Sequence, residues 1–124
     1  MATQEQPLVK DVMSRPLITI PAEMSLVDAA EKMREHDISA LLVTTAPPSL
    51  ITSTDILNAI AQGKSPSEVV VGDVMTESVE SIPPDLRLQQ TAAMMETFQI
   101  SHLPVIDDDY IGMVSSTDLT NAFW

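Results

Sequence analysis

The sequence predicts an α/β chain of the α+β kind, built from two tandem strand–helix–strand–strand–helix repeats related by a pseudo-twofold axis. Three observations predict it. The chain repeats itself: Asp73-Val74-Met75-Thr76 echoes Asp11-Val12-Met13-Ser14. At the same offset Ile82-Pro83 matches Ile20-Pro21, Leu88 matches Leu26, Met95 matches Met33 and Ile100-Ser101 matches Ile38-Ser39. About a third of the aligned positions are identical, the signature of a duplicated unit. Within each copy the apolar pattern passes from strand-like to helical spacing and back. Each copy also ends on the same passage, Ser49-Leu50-Ile51-Thr52-Ser53-Thr54-Asp55-Ile56 and Gly112-Met113-Val114-Ser115-Ser116-Thr117-Asp118-Leu119. A unit of about sixty residues buries too little surface to stand alone. The two copies are therefore expected to pack their sheets together and to form clefts where they meet. The expected boundaries are 8–62 for repeat one, 63–69 for the linker and 70–124 for repeat two.

In chain order, residues 1–7 read as a polar lead-in, and 9–13 as a short helical turn that Pro16 breaks. Leu17-Ile18-Thr19-Ile20 is β-favourable and stops at Pro21. Ser25 followed by Asp28 is a helix-start signal, with Leu26, Ala29, Ala30 and Met33 on one face of a helix over 26–36. Residues 38–43 form an apolar strand, 46–49 a turn and 50–52 a short strand. A helix over 54–61 follows, with Gly63 at its C-terminal cap position. Repeat two runs the same course with one extra residue in its strand–strand turn, Asp107-Asp108-Asp109, where an insertion is easily absorbed.

Composition removes whole classes of function. The net charge is −12 with only six Lys and Arg, which argues against a nucleic-acid backbone or an anionic membrane as partner. Cysteine is absent, so disulfides, thiolate nucleophiles and zinc–thiolate sites are excluded. No run of about 18 apolar residues predicts a membrane span, and the polar N-terminus lacks a signal-peptide pattern. A cytoplasmic protein is expected.

The repeated strand-to-helix passage carries the chemistry. A carboxylate can accept hydrogen bonds from both hydroxyls of a ribose diol. Ser and Thr hydroxyls, with the N–H groups of a helix N-terminus, can hold a phosphate. The alternative is structural: Ser or Thr before Asp is also an N-cap with an acid in the first turn, worth about 1 kcal/mol. The triple aspartate reads as a solvated turn, because it lacks the spaced ligands of a calcium loop. An enzyme would need a nucleophile with a base or a metal cluster, and His36 and His102 occupy unrelated places in the repeat. No catalytic cofactor is expected.

The run Val-x-Asp-Val-Met-Ser/Thr, then Ile-Pro, then a helix with Ala and Met, then Ile-Ser-His-Leu-Pro-Val-Ile-Asp and Gly-Met-Val-Ser-Ser-Thr-Asp-Leu resembles the CBS domain, in the tandem arrangement called a Bateman module. The resemblance covers about 9–122 and occurs twice in register. It implies a regulatory module that binds AMP, ADP or ATP, with or without magnesium, or S-adenosylmethionine, sometimes NAD or diadenosine polyphosphates. It also implies a homodimer and an effector protein to which ligand state is passed; the other reading is a ligand-free scaffold for assembly.

By that resemblance the site crosses between repeats. The Asp118 site would take Met113, Ser115, Thr117, Asp118 and His102 from repeat two with Val9, Met13, Ser14 and Arg15 from repeat one. The Asp55 site would take Leu50, Thr52, Thr54, Asp55 and Ala40 with Val71, Met75, Thr76 and Glu77. Asp would hold the ribose, the hydroxyls ribose and phosphate oxygens, and aliphatic and Met side chains the adenine. Arg15 and His102 would favour phosphate at the Asp118 site. Repeat one departs from the pattern, with Ala40 in place of His102 and Ser49 in place of Gly112. The aromatic end, Phe123-Trp124, is expected to be covered at a dimer interface.

Overall fold

The computed structural model describes residues 7–15, 17–77 and 79–123. Pro16 and Trp124 lie outside the described residues, as does the side chain of Phe123. The chain divides into two compact units, 18–79 and 1–17 with 80–124. These units are cut differently from the sequence repeats. The stretch before each first strand belongs with the strands of the other repeat.

Unit 18–79 holds β1 (Thr19–Ile20), α2 (Leu26–His36), β2 (Ala40–Val43), β3 (Ser49–Thr52) and α3 (Ser53–Ala61); α1 (Val9–Val12) belongs to the other unit. The sheet order is β1-β2-β3, with β1 parallel and β3 antiparallel to β2. Ser25 caps α2 by accepting the Asp28 N–H at 3.1 Å. Gly63, just past α3, takes a left-handed φ of 85°, as a helix terminus favours. β2 is buried on both faces, which explains its unbroken apolar run. Ile20, Leu26, Met33, Leu41, Val43 and Ile51 form the core, and Val71 from the next repeat joins them fully buried.

The second unit holds α1 (Val9–Val12), α4 (Leu88–Phe98), β4 (His102–Asp107), β5 (Asp109–Ser115) and α5 (Ser116–Phe123). Asp11 accepts the Leu8 N–H at 2.9 Å and closes the first turn of α1. The expected first strand of repeat two shrinks to one bridge, Ile82 parallel to Val105. The reason is visible one position earlier. In repeat one the Leu42 N–H donates to Ile18 O at 3.1 Å. The matched residue in repeat two is Pro104, which has no N–H to give. The extra residue of repeat two appears as a β-bulge, because Val105 pairs with Gly112 but Ile106 pairs with Tyr110, leaving Ile111 without an opposite residue.

One backbone device recurs in both units. The Ser14 N–H donates to Met113 O at 2.8 Å and the Met113 N–H returns to Ser14 O at 3.1 Å. The Thr76 N–H donates to Leu50 O at 2.8 Å and the Leu50 N–H to Thr76 O at 2.9 Å. Gly112 makes the first of these approaches possible, since a Cβ there would lie 2.8 Å from both Met13 Sδ and Ser14 O. At the matched position the buried Ser49 hydroxyl bonds Thr45 Oγ1 at 2.7 Å. Thr45 already donates its one hydroxyl hydrogen to Pro47 O, so Ser49 is the donor. Gly112→Ala should cost about 1–3 kcal/mol, because the Ser14 carbonyl is fixed backbone that cannot yield. Urea unfolding measures this; an unchanged midpoint would contradict the close approach.

Candidate functional site

The hydroxyl–carboxylate passages fold into the same structure twice. Thr52 sits at the N-cap of α3, and its Oγ1 accepts the Asp55 N–H at 3.2 Å while Asp55 Oδ2 accepts the Thr52 N–H at 2.9 Å. Ser115 and Asp118 make the same reciprocal pair at 3.1 and 2.8 Å. These are capping boxes with Asp in place of Glu, so the structural reading of the motif is realised in both copies. It does not exhaust the chemistry. An ionised carboxylate offers about four lone-pair sites on two oxygens, and the cap occupies one oxygen of each Asp. Both carboxylates are half-buried, held in one orientation and still reachable.

The helix N-termini have less to offer than their sequence implies. The Ser53 N–H is taken by Ser39 O and the Ser116 N–H by Ser101 O, both at 2.9 Å. The Asp55 and Asp118 N–H groups are taken by the caps. Of the first three amides, that leaves those of Thr54 and Thr117, residues whose side chains are exposed.

Strand register decides which expected residues meet. His102 pairs directly with Ser115 at one end of the β4–β5 hairpin, beside the Asp118 cap. Its Nδ1 lies 3.3 Å from Ser101 Oγ. Ala40 pairs with Thr52 in the other unit. Met113 stands two residues from Ser115 on β5, and the backbone bridge sets Ser14 against it. Leu50 and Thr76 repeat this beside Thr52. Ser14 and Thr76 are exposed; Met13, Met113 and Leu50 are buried apolar walls. Val9 and Val71 are fully buried in the two cores, so their side chains present no surface to a ligand. Met75 is half-buried and Glu77 exposed.

Arg15, expected at the Asp118 site, also borders a second feature. The bridge at Ser14 and Met113 is antiparallel, so the chain leaving Ser14 heads away from Ser115 and toward the hairpin turn. Arg15 lines a cavity of about 540 Å³ with Lys10, Asp85 and Asp107. None of His102, Ser115, Thr117 or Asp118 lines that cavity. Sequence reasoning missed this group. The missing signal was the direction of the bridge, which motif spacing does not carry.

Among the described residues no group of three or more His, Asp or Glu could hold a metal ion. No helix among them is long and apolar enough to cross a membrane.

Comparison with known proteins agrees with this architecture. An uncharacterized protein of Methanopyrus kandleri is 32% identical over 117 residues, covering 90% of this chain and 60% of its own length. The L-aspartate semialdehyde sulfurtransferase of Methanocaldococcus jannaschii is 35% identical over 121 residues, covering 94% of this chain but 23% of its own. This chain therefore spans less than two thirds of either relative. Among solved structures, the CBS domain pair of protein MJ0100, in complex with 5′-methylthioadenosine and S-adenosyl-L-methionine, superimposes with a TM-score of 0.84 at 32% identity, covering 96% of this chain and 97% of that one. The CBS domain family matches residues 9–62 and again 71–124. With two βαββα-like repeats and two capped carboxylates in register, the chain belongs to the CBS domain family as a tandem pair.

Proposed function

We propose that the pair is a regulatory module that binds an adenosine-containing ligand and passes the bound state to a partner protein in the cytoplasm. The observation that carries this reading is the doubled carboxylate, oriented by its own cap and keeping acceptor capacity for a ribose diol. The MJ0100 pair, similar over nearly the whole chain, holds two adenosine compounds. AMP, ADP, ATP with or without magnesium, and S-adenosylmethionine are the ligands to test. The site beside Asp118 differs from the site beside Asp55 in having His102 where the other has Ala40. An imidazole can donate to a phosphate, so phosphorylated ligands should prefer the Asp118 site.

Calorimetry on Asp118→Asn and Asp55→Asn tests this. Asn keeps an oxygen for the cap but loses the charge, which separates binding from folding. A hydrogen bond to a charged group is worth ~1.5–3 kcal/mol, so Asp118→Asn should weaken AMP about 10- to 150-fold. Asp55→Asn should weaken it less. Equal losses would refute the preference, and a melting point unmoved by all four ligands would refute the adenosine reading itself.

We further propose that the module works as a homodimer through α2 and α3. Val27, Leu57 and Ile60 are exposed by 38, 65 and 49%. Val27 and Ile60 border a shallow groove that Glu31 and Arg34 also line. Two copies related by a twofold axis would set acid against base across that groove. Light scattering should give a dimer mass, and Leu57→Glu should give a monomer; a monomer before substitution would contradict the proposal.

A further inference from the structure

The cavity that Arg15 lines has no part in the reading above. Four charged residues line it, Lys10 and Arg15 against Asp85 and Asp107, with Pro83 and Ile111 as apolar wall. The chain has only six Lys and Arg, and two of them meet here. Lys10, Arg15, Asp85 and Asp107 are all exposed, and among the described residues no salt bridge joins the two cations to the two carboxylates. The cavity therefore offers two separated charge pairs of opposite sign.

Its walls are built rather than incidental. The Lys10 N–H donates to Pro84 O at 2.9 Å, which ties α1 to the loop that carries Asp85. Ile111, the unpaired bulge residue, lines the same space, as bulges commonly redirect a side chain. Ile111 and Ser115 stand four residues apart on β5, about 13 Å at strand rise, so the cavity lies well apart from the Asp118 cap.

The other unit supplies an internal comparison. There the Gly72 N–H donates to Ala22 O at the same 2.9 Å. The backbone is conserved between repeats, but Gly72 replaces Lys10, Glu77 replaces Arg15, Glu23 stands for Asp85 and Thr45 for Asp107. Both cations and the bulge belong to one unit alone.

A simple anion would meet Asp85 and Asp107 unfavourably. A ligand that carries both signs would not. Magnesium is held by one or two carboxylates together with phosphate oxygens, and Lys and Arg are the residues that bind phosphate, Arg bidentately. We propose that this cavity is a second ligand site that takes a magnesium-bound diphosphate group, with Lys10 and Arg15 on the phosphate oxygens and Asp85 and Asp107 on the metal. Free polyphosphate and the tail of a nucleotide share this chemistry.

Calorimetry with inorganic pyrophosphate, with and without magnesium chloride, tests the site without any nucleoside, so its result is independent of the adenosine reading. Pyrophosphate should bind in the presence of magnesium and at least about tenfold more weakly in its absence. Lys10→Ala with Arg15→Ala, and Asp85→Asn with Asp107→Asn, should each cost about tenfold or more, with melting points unchanged because all four side chains are exposed. Asp118→Asn should leave pyrophosphate binding unaltered. Displacement of pyrophosphate by ADP supports the site and marks a nucleotide tail as the source; persistence supports it and marks a free polyphosphate. Absence of binding, or equal affinity in the Lys10/Arg15 double variant or without magnesium, overturns the proposal.

Discussion

The structure depends on a two-bond backbone bridge made twice. It fastens the stretch before one repeat's first strand to the last strand of the other repeat, at Ser14 with Met113 and at Thr76 with Leu50. Each compact unit is therefore assembled from both halves of the sequence. The bridge also brings Val9 and Val71 into cores built mainly by the opposite repeat. Such a contact closes a long stretch of chain, and closure entropy grows only slowly with length. Behind each bridge lie a buried valine and a buried or half-buried methionine, and further backbone bonds, from Val9 to Leu86 and from Val71 to Met24, tie the same stretches.

The second constraint is economy of atoms at the start of α3 and α5. The same carboxylate that caps the helix is the group offered to a ligand. The cap fixes the side chain before any ligand arrives, and such preorganisation reduces the ordering cost of binding. The cap also limits what the helix end can do. Two of its first three amides are already bonded, so a bound phosphate would draw on side chains more than on the helix terminus.

These two features divide what was legible in the sequence from what was not. α2 is read correctly at Leu26–His36 because Ser25 caps it and its apolar residues keep helical spacing. The paired passages at Thr52 and Ser115 are legible as caps because the reciprocal bonds are local, three residues apart. The first strand of repeat two was not legible as a mere bridge. Its loss depends on a missing N–H at Pro104, a residue distant in sequence from the strand it shortens. The cavity beside Arg15 was not legible for a related reason. The neighbours of Arg15 follow from an antiparallel crossing to β5, and local spacing cannot distinguish the two directions along that strand. Val9 falls in the expected segment, but the packing that seals it comes from Leu88, Leu103 and Val114 in the other repeat.

Duplication accounts for where the two units agree and where they part. The backbone bonds at Ser14 and Thr76, at Lys10 and Gly72, and at the two caps are nearly identical in length. They use main-chain atoms or short polar side chains, so substitution elsewhere leaves them intact. Charge is free to diverge because it sits on exposed positions that the core does not constrain. Lys10 and Arg15, two of the six Lys and Arg in a chain of net charge −12, line one cavity beside two carboxylates, in the unit that also carries an inserted residue and its bulge. The bulge adds Ile111 to the cavity wall without disturbing Gly112, whose close approach to Met13 and Ser14 could not tolerate a shift. An insertion taken up as a bulge at Ile111 thus alters one end of the strand while the bridge and the cap at the other end keep their geometry.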